Sequence, residues 1–401
     1  MSEVIQIPAP VEHIISQLNS HGYQAYAVGG CVRDSLLGRI PEDWDITTSA
    51  RPEQVKAVFR RTVDTGIAHG TVTVMEGKTG YEVTTYRIDG KYEDGRHPSQ
   101  VIFTPSLLED LRRRDFTINA MAYSKEEGIV DAFGGMKDLE SKVIRCVGSP
   151  IERFTEDALR ILRAVRFSAQ LGFEIEKDTY KAIGEIAPNL GRVSKERILT
   201  ELTKLLLSDH PERIAMVYET GMAPHISRQF AAVAQPLPYI SPSLPQKKSL
   251  RWAAFLQNEP EEAAVRLLKE LKSDNDTINR VRILTRWCRA EILSDKTAVR
   301  RTMSQMTPEL YDDLILLKES VLREEPEKEQ LEEVKRLTAE IRSSRDCLYL
   351  KDLAVNGRDL IEAGITPGRE VGDTLEWLLE EVLKEPGKNR KETLLKLLKT
   401  R

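Results

Sequence analysis

The stretch "AVGGCVRDSLLGRIPEDWDIT", Ala27 to Thr47, decides how this chain is read, because it sets a diglycine, an arginine and two aspartates flanking a tryptophan close together. Tyr26-Ala27-Val28 has strand character and Val32 to Leu37 helical character, so Gly29-Gly30 removes two side chains where a strand turns into a helix. Backbone amides at such a turn are free to meet a phosphate. Arg33 adds a cation one turn in, Asp34 suits a helix start electrostatically, and Gly38 supplies a stop. If Asp43 to Asp45 is strand, both carboxylates project to one face while Trp44 points the other way into the core. Two carboxylates that close repel unless a cation sits between them, and hard oxygen ligands suit Mg2+. A diglycine alone is also an ordinary turn, and an isolated Asp-x-Asp is also a solvated strand end. Together with the arginine they describe a metal-dependent nucleotidyl-transfer site.

The bulk properties bound this reading. A chain of 401 residues is long enough for two to four compact units. Its net charge of −4 means that a nucleic-acid partner would have to meet basic residues clustered on one surface. Four scattered cysteines with no Cys-x-x-Cys indicate neither a disulfide framework nor a zinc site, and they fit a reducing cytoplasm. The first ten residues lack the pattern of a signal peptide, and no apolar run approaches the roughly 18 residues of a membrane span. The expectation is a soluble cytoplasmic protein with no membrane partner.

Along the chain, β-rich runs at Ala25–Val28, Trp44–Thr47, Thr71–Met75, Tyr81–Tyr86, Val101–Phe103 and Ile129–Asp131 alternate with helical patterns at Pro10–His21, Val32–Leu37 and Pro52–Arg60. After Pro150 strand signals largely stop and long helical periodicities take over, broken by "QPLPYISPSLPQ" (Gln235–Gln246) and the charged Glu324–Lys335. The fold class expected is α+β: an N-terminal α/β head over 1–148, then all-helical segments over 149–215, 216–320 and 321–401. No internal repeat is evident.

The glycines, Arg33 and the aspartate pair resemble the DNA polymerase β superfamily of nucleotidyltransferases, and the longer match, GG-x-VRD followed by DxD, is similar to its bacterial tRNA nucleotidyltransferase branch. "LEDLRRRDFTINAMAY" (Leu108–Tyr123) reads as an arginine triplet on an otherwise apolar helix leading into a buried run, and it resembles the RRDxxxN motif of that branch. The resemblance implies that Arg114 contacts the incoming nucleotide, while Asp115 and Asn119 hold local architecture.

"RFTEDALRILRAVRFSAQLGF" (Arg153–Phe173) reads as one helix with Thr155 as N-cap and Glu156 and Asp157 in its first turn. At about 100° per residue, Ala158, Ile161, Leu162, Val165 and Ala169 share one arc and Arg160, Arg163 and Arg166 another. The bland reading is a surface helix with arginines on its wet side. The spacing EDxxR, however, resembles the family's nucleotide-selecting motif. Cytosine and adenine both present an amino donor beside a ring-nitrogen acceptor, whereas uracil and guanine present the reverse. A carboxylate beside a guanidinium complements the first pair and opposes the second. Asp157 and Arg160 are thus the expected selectors of CTP and ATP, and the resemblance makes Arg163 and Arg166 further nucleotide ligands, alongside Gly30 and Arg33.

Two more stretches extend the match. In "RVSKERILTEL" (Arg192–Leu202), Arg197 and Glu201 form an i,i+4 pair expected to brace the selecting helix. "TYRIDGKYEDGRHPSQVIFTPS" (Thr85–Ser106) matches the family's flexible loop, which is linked there to the switch from C to A addition. Beyond about residue 215 there is no catalytic constellation and no His-Asp dyad of a phosphohydrolase. The tail from Leu350 resembles that of short bacterial tRNA nucleotidyltransferases, and its Lys351, Arg358, Arg369 and Lys388 are candidates for the backbone of a folded RNA, against the plainer reading of a solvated basic surface.

The resemblance implies template-independent addition of C, C and A to the 3′ end of tRNA from CTP and ATP, with Asp43 and Asp45 as catalytic ligands of Mg2+ and Glu82 as candidate third carboxylate. An A-adding enzyme, a poly(A) polymerase and an inert RNA-binding module are the rivals. The intact aspartate pair argues against the last, and the lack of a long basic extension against the second. The sequence leaves open a homodimer.

Overall fold

The computed structural model describes residues 5–90 and 101–398. It divides into two compact units, 1–232 with 270–272, and 233–269 with 273–401.

The first unit is organised by a seven-stranded sheet. Its strands are β1 (Ala25–Val28), β2 (Ile46–Thr48), β3 (Thr62–Gly66), β4 (Thr71–Glu76), β5 (Thr79–Thr85), β8 (Met121–Ser124) and β9 (Gly128–Asp131), in the order β3-β4-β5-β2-β1-β8-β9. The two strands between them in the chain, β6 (Arg87–Asp89) and β7 (Val101–Phe103), form a separate antiparallel hairpin. All four β1 residues are buried, as expected of a strand flanked by neighbours on both edges and covered on both faces. Helices α1 (Ala9–Ser20), α2 (Gly30–Leu36), α3 (Pro52–Val58), α4 (Leu107–Arg112) and α5 (Gly135–Glu140) complete this part. α1 buries Val11, Ile14, Ile15 and Leu18, the i, i+3, i+4, i+7 stripe that its sequence carries.

Two pairings position the acidic residues. β2 lies antiparallel to β1 and parallel to β5, with Ile46 opposite Val83. Asp45 and Glu82 therefore stand one residue upstream of that pair on adjacent segments, on the side opposite the buried Ile46 and Val83. The strand begins at Ile46, so Asp43, Trp44 and Asp45 precede it rather than lie on it. Asp45 still joins the sheet edge-on, its carbonyl accepting from the Val28 N–H at 3.0 Å. Trp44 is half-buried and lines a surface groove with Leu36, Ile40 and Pro41, not the core.

Beyond the sheet, α6 (Pro150–Glu156), α7 (Leu159–Leu171), α8 (Lys177–Ile186) and α9 (Lys195–Leu206) form a helical layer in which α9 packs on α7 and α8 on α6. A two-stranded parallel ladder, β10 (Val143–Ile144) with β11 (Glu174–Ile175), ties the chain entering α6 to the chain leaving α7. The sequence stretch read as one helix from Arg153 is thus two. Thr155 lies inside α6, and the break falls at Asp157, whose backbone is extended (φ −140°, ψ 103°). The arginine triplet is likewise not helical throughout: α4 ends at Arg112, and the apolar run after it becomes a 3₁₀ turn and the buried strand β8.

The second unit is helical. The helices Lys248–Phe255, Asn275–Arg289 and Pro308–Val321 pack on one another around a fully buried Asp313, which accepts from Lys247 at 2.7 Å and Arg280 at 3.2 Å. Toward the C-terminus Cys347, Leu353, Val355, Leu360, Leu378, Val382 and Leu394 form an apolar cluster of their own. Among the described residues no helix is long and apolar enough to cross a membrane.

Candidate active site

The diglycine turn is built as its sequence requires, but at one position rather than two. Gly29 has φ 83°, a left-handed conformation that disfavours side chains, and a Cβ there would come within 2.9 Å of the Arg114 guanidinium. Gly30 opens α2 with room to spare, since a Cβ would meet the Arg33 guanidinium at an ordinary 3.7 Å.

Asp43, Asp45 and Glu82 all reach solvent. Crowding by surrounding protein nevertheless raises the Asp45 carboxyl above its ordinary value; Arg114 opposes the shift and Asp43 adds to it. Glu82 is raised for the same first reason, then by the charges of Asp45 and Asp43. The three carboxylates therefore feel one another, an unfavourable arrangement that a cation would relieve.

The second cluster lies around a cleft of about 250 Å³ lined by Arg113, Arg114, Asp115, Asp157, Leu159, Arg160, Arg163 and Arg197. Arg114 belongs to both clusters, covering Gly29 and acting on Asp45 while it lines this cleft. Fully buried Asp110 accepts two bonds from Arg113, at 2.7 and 3.0 Å, and one from the Thr47 hydroxyl at 3.1 Å. Burial would raise its carboxyl, but Arg113 and Arg114 hold it below the usual range. Asp115 is an architectural hub: it accepts from the Phe116 N–H at 2.9 Å, the Asn119 amide at 3.1 Å and Arg163 at 2.8 Å. Those partners outweigh its burial and keep it well below the usual carboxylate range. Asn119 in turn accepts from Arg33 at 2.6 Å.

The selecting helix is wired differently from its sequence pattern. Asp157 caps α7, its Oδ1 accepting from the Leu159 N–H at 3.1 Å, and its Oδ2 accepts from Arg197 at 2.7 Å. Arg160 does not pair with Asp157; it donates to Glu156 at 2.6 Å, to the Arg153 carbonyl at 3.0 Å and to the Arg113 carbonyl at 3.1 Å. The expected Arg197–Glu201 pair is replaced by two longer-range contacts, Arg197 with Asp157 and Glu201 with Arg166, the latter at 2.8 Å. Both still brace α7 from α9. Nor do the arginines of α7 line a wet face: the Arg160 and Arg166 side chains are 11% and 8% exposed, against 33% for Arg163, and Arg33 on α2 is 11% exposed. Arg163 therefore faces the cleft, and Arg33 and Arg166 lie behind it. Arg113, Leu159 and Arg197 line the cleft without having been singled out from sequence as site residues, and Phe167 lies on α7 beside Arg166. The aromatic next to Arg166 was a usable signal for the last of these.

Of the flexible-loop stretch, β6 and β7 are seen, while 91–100, with Gly95, lie outside the described residues.

Comparison with known proteins bears on the family and the fold. Three family models match: "Poly A polymerase head domain" over 25–145, "Probable RNA and SrmB- binding site of polymerase A" over 172–233, and "tRNA nucleotidyltransferase domain 2 putative" over 244–398. The CCA-adding enzyme of Enterococcus faecalis is 37% identical over 393 residues, covering 96% of this chain and 94% of that protein. The CCA-adding enzyme of Lactiplantibacillus plantarum is 38% identical over 413 residues, with 97% and 96% covered. Among solved structures, the Bacillus stearothermophilus CCA-adding enzyme in complex with CTP superposes with a TM-score of 0.82 at 33% identity, over 98% of this chain and 99% of that one. The Thermotoga maritima CCA-adding enzyme complexed with tRNA shares the fold, with a TM-score of 0.64 at 24% identity over 98% and 94%. Matched along almost its whole length in sequence and in fold, the chain belongs to the CCA-adding enzymes, a family of nucleotidyltransferases.

Proposed function

We propose that this protein adds C, C and A to the 3′ end of tRNA without a nucleic-acid template, using CTP and ATP and releasing pyrophosphate. The observation that carries the reading is the pairing of a small cleft lined by one accessible carboxylate and several guanidiniums with an aspartate pair, the two joined through Arg114. In this reading the head (1–148) holds the triphosphate and the neck (149–215) chooses the base. The body (216–320) and tail (321–401) meet the tRNA.

The donor set at Asp43 and Asp45 fits a hard divalent cation such as Mg2+, because a cation relieves the crowding that raises the Asp45 carboxyl and, beside it, that of Glu82. Among the described residues no three acidic, His or Cys groups are placed to hold a metal ion on their own. Asp43 and Asp45 would hold it, with Glu82 beside them. When bound, it supplies Lewis-acid stabilisation of the triphosphate and the terminal 3′ oxygen. The chain's own groups do the rest. Gly30 leaves the turn open to phosphate, Arg114 and Arg163 meet the nucleotide's charge, and Arg33 and Arg166 support Arg163 from behind. Asp157 and Arg160 present an acceptor and a donor to the base.

The test is incubation of tRNA lacking its 3′ CCA with Mg2+ and each labelled nucleotide, alone and together. CTP alone should give two additions, ATP alone almost none, and the two together three. Incorporation of A alone onto tRNA ending in CC, with none of C, would mean an A-adding enzyme.

For the tail, Arg358 and Arg369 are nearly fully exposed and pair at 3.1 and 3.7 Å with Glu362 and Asp373, whereas Lys388 sits between Glu381 and Glu385. Surface ion pairs are worth little and exchange readily for phosphate. Reversing both charges with Arg358→Glu and Arg369→Glu is expected to weaken tRNA binding about ten-fold at low salt and flatten its salt dependence, with the KM for CTP unchanged. Equal losses for both ligands would instead indicate damage to the fold.

A further inference from the structure

Phe167, on α7 and 5% exposed, is surrounded by cations. The guanidinium carbons of Arg166, Arg33 and Arg163 lie 3.9, 5.0 and 5.4 Å from its ring centroid, all within the range of cation–π attraction. Phe116 meets the ring edge-on at 5.7 Å and 81°. Outside the ring each arginine has its own acid: Asp34 with Arg33 at 2.8 Å, Asp115 with Arg163 at 2.7 Å, Glu201 with Arg166 at 2.8 Å. Three segments thus meet at one side chain, α2 just after the diglycine, the turn after Arg114 and α7 itself, and α9 reaches the surrounding arginines through Glu201.

The carboxylates stabilise these cations from outside the ring, and at Arg163 burial is outweighed by Asp115 and Glu201, which raise its pKa. Three guanidiniums in one poorly solvated volume repel, and Arg166 registers it: burial pushes its pKa down to about 10, with Glu201 opposing and the Arg163 charge adding. An aromatic face carries negative quadrupole density and attracts a cation, so the ring offsets that repulsion where an aliphatic side chain of similar bulk would merely fill space. Arg163 is the member that reaches the cleft.

We infer that Phe167 is a positioning residue for nucleotide binding: its ring holds the three guanidiniums at fixed separations and thereby aims Arg163 into the cleft. This rests on the reading above in which Arg163 meets the nucleotide.

The experiment uses the full-length protein with Phe167 replaced by mono-, di- and trifluorinated phenylalanines, which drain the ring's negative face while nearly preserving its volume. Expected is a stepwise rise in KM for both CTP and ATP, reaching about ten-fold at the trifluoro residue, with kcat within about two-fold and tRNA affinity unchanged. Phe167→Leu should raise KM at least as much, and Phe167→Tyr, which keeps the π face, should recover most of the loss. A KM that stays flat across the fluorine series, whatever the melting temperature does, overturns the proposal, because packing alone would give that result. Arg163→Met, measured alongside, separates the two readings. An unchanged KM there removes Arg163 from the nucleotide and with it this route, whereas a raised KM with a flat fluorine series removes the ring's role alone.

Discussion

Replacing Asp45 by asparagine is expected to slow nucleotide incorporation by about a thousand-fold, and Asp43→Asn should do nearly the same, since in the proposed function each is a metal ligand worth several kcal/mol in the transition state. The structure adds a control that a folding defect could not mimic. The ionised form of Asp45 is disfavoured in the fold, by crowding first and by Asp43 after it. A neutral isostere relieves that cost, so the melting temperature of Asp45→Asn without metal should equal or exceed that of the parent. Affinity for tRNA should hold as well, because in that proposal these carboxylates hold a cation and do not meet a phosphate backbone. Single-turnover incorporation, thermal melting and tRNA binding measured on the same preparation check all three. Residual turnover above a tenth of the parent, with Mg2+ saturating, would remove the pair from the mechanism.

The second large effect concerns base choice. Two of the roughly four lone-pair sites of Asp157 are used within the protein, by the Leu159 N–H and by Arg197, which leaves acceptor capacity for an amino group of C or A. Asp157→Asn retains a carbonyl oxygen for the helix cap but loses the charge and gains an amide that can donate. A hydrogen bond to a charged group is worth about 1.5–3 kcal/mol, so exclusion of UTP and GTP should relax by about one to two orders of magnitude. Asp157→Ala should relax it too, with an added loss of stability from the missing cap. The Mg2+ requirement should not move in either. The measurement is kcat/KM for all four triphosphates in parent and variants. An even loss for all four would place base choice elsewhere and leave Asp157 as a cap and a brace.

Arg197 gives this second prediction a structural boundary. In Asp157→Ala its guanidinium loses its partner at the edge of the cleft, and part of any rate loss comes from that cation turning toward the nucleotide. Asp157→Asn has one oxygen, which serves either the Leu159 N–H or Arg197 and not both, so agreement between the two variants in discrimination, though not in rate, is the signature of base contact.

What the sequence by itself determined is the local grammar. Ala25–Val28 is continuously apolar and ends on two glycines, and it is the strand and turn that this pattern demands. The apolar arc of α7 and the stripe of α1 are buried as their periodicity requires. The motif residues Arg114, Asp157, Arg160 and Arg163 line one cleft, as a shared function would need. Other features were hidden for identifiable reasons. β3 is an edge strand with a mostly exposed face and no apolar alternation, and β8 is buried throughout, so its apolar run cannot be told from a helix by period alone. Only the tertiary structure decided the partners of the charged residues. Asp157 turns out of the helical path because its carboxylate caps α7 and reaches Arg197, 40 residues away. Glu201 leaves its i,i+4 neighbour because Arg166 is buried opposite it and needs a counter-charge more than half-buried Arg197 does, which has Asp157. Spacing along a helix fixes which side chains can meet, but desolvation decides which of those meetings occurs. A buried guanidinium without a carboxylate costs far more than an exposed one, and the chain's acids go where that cost is highest.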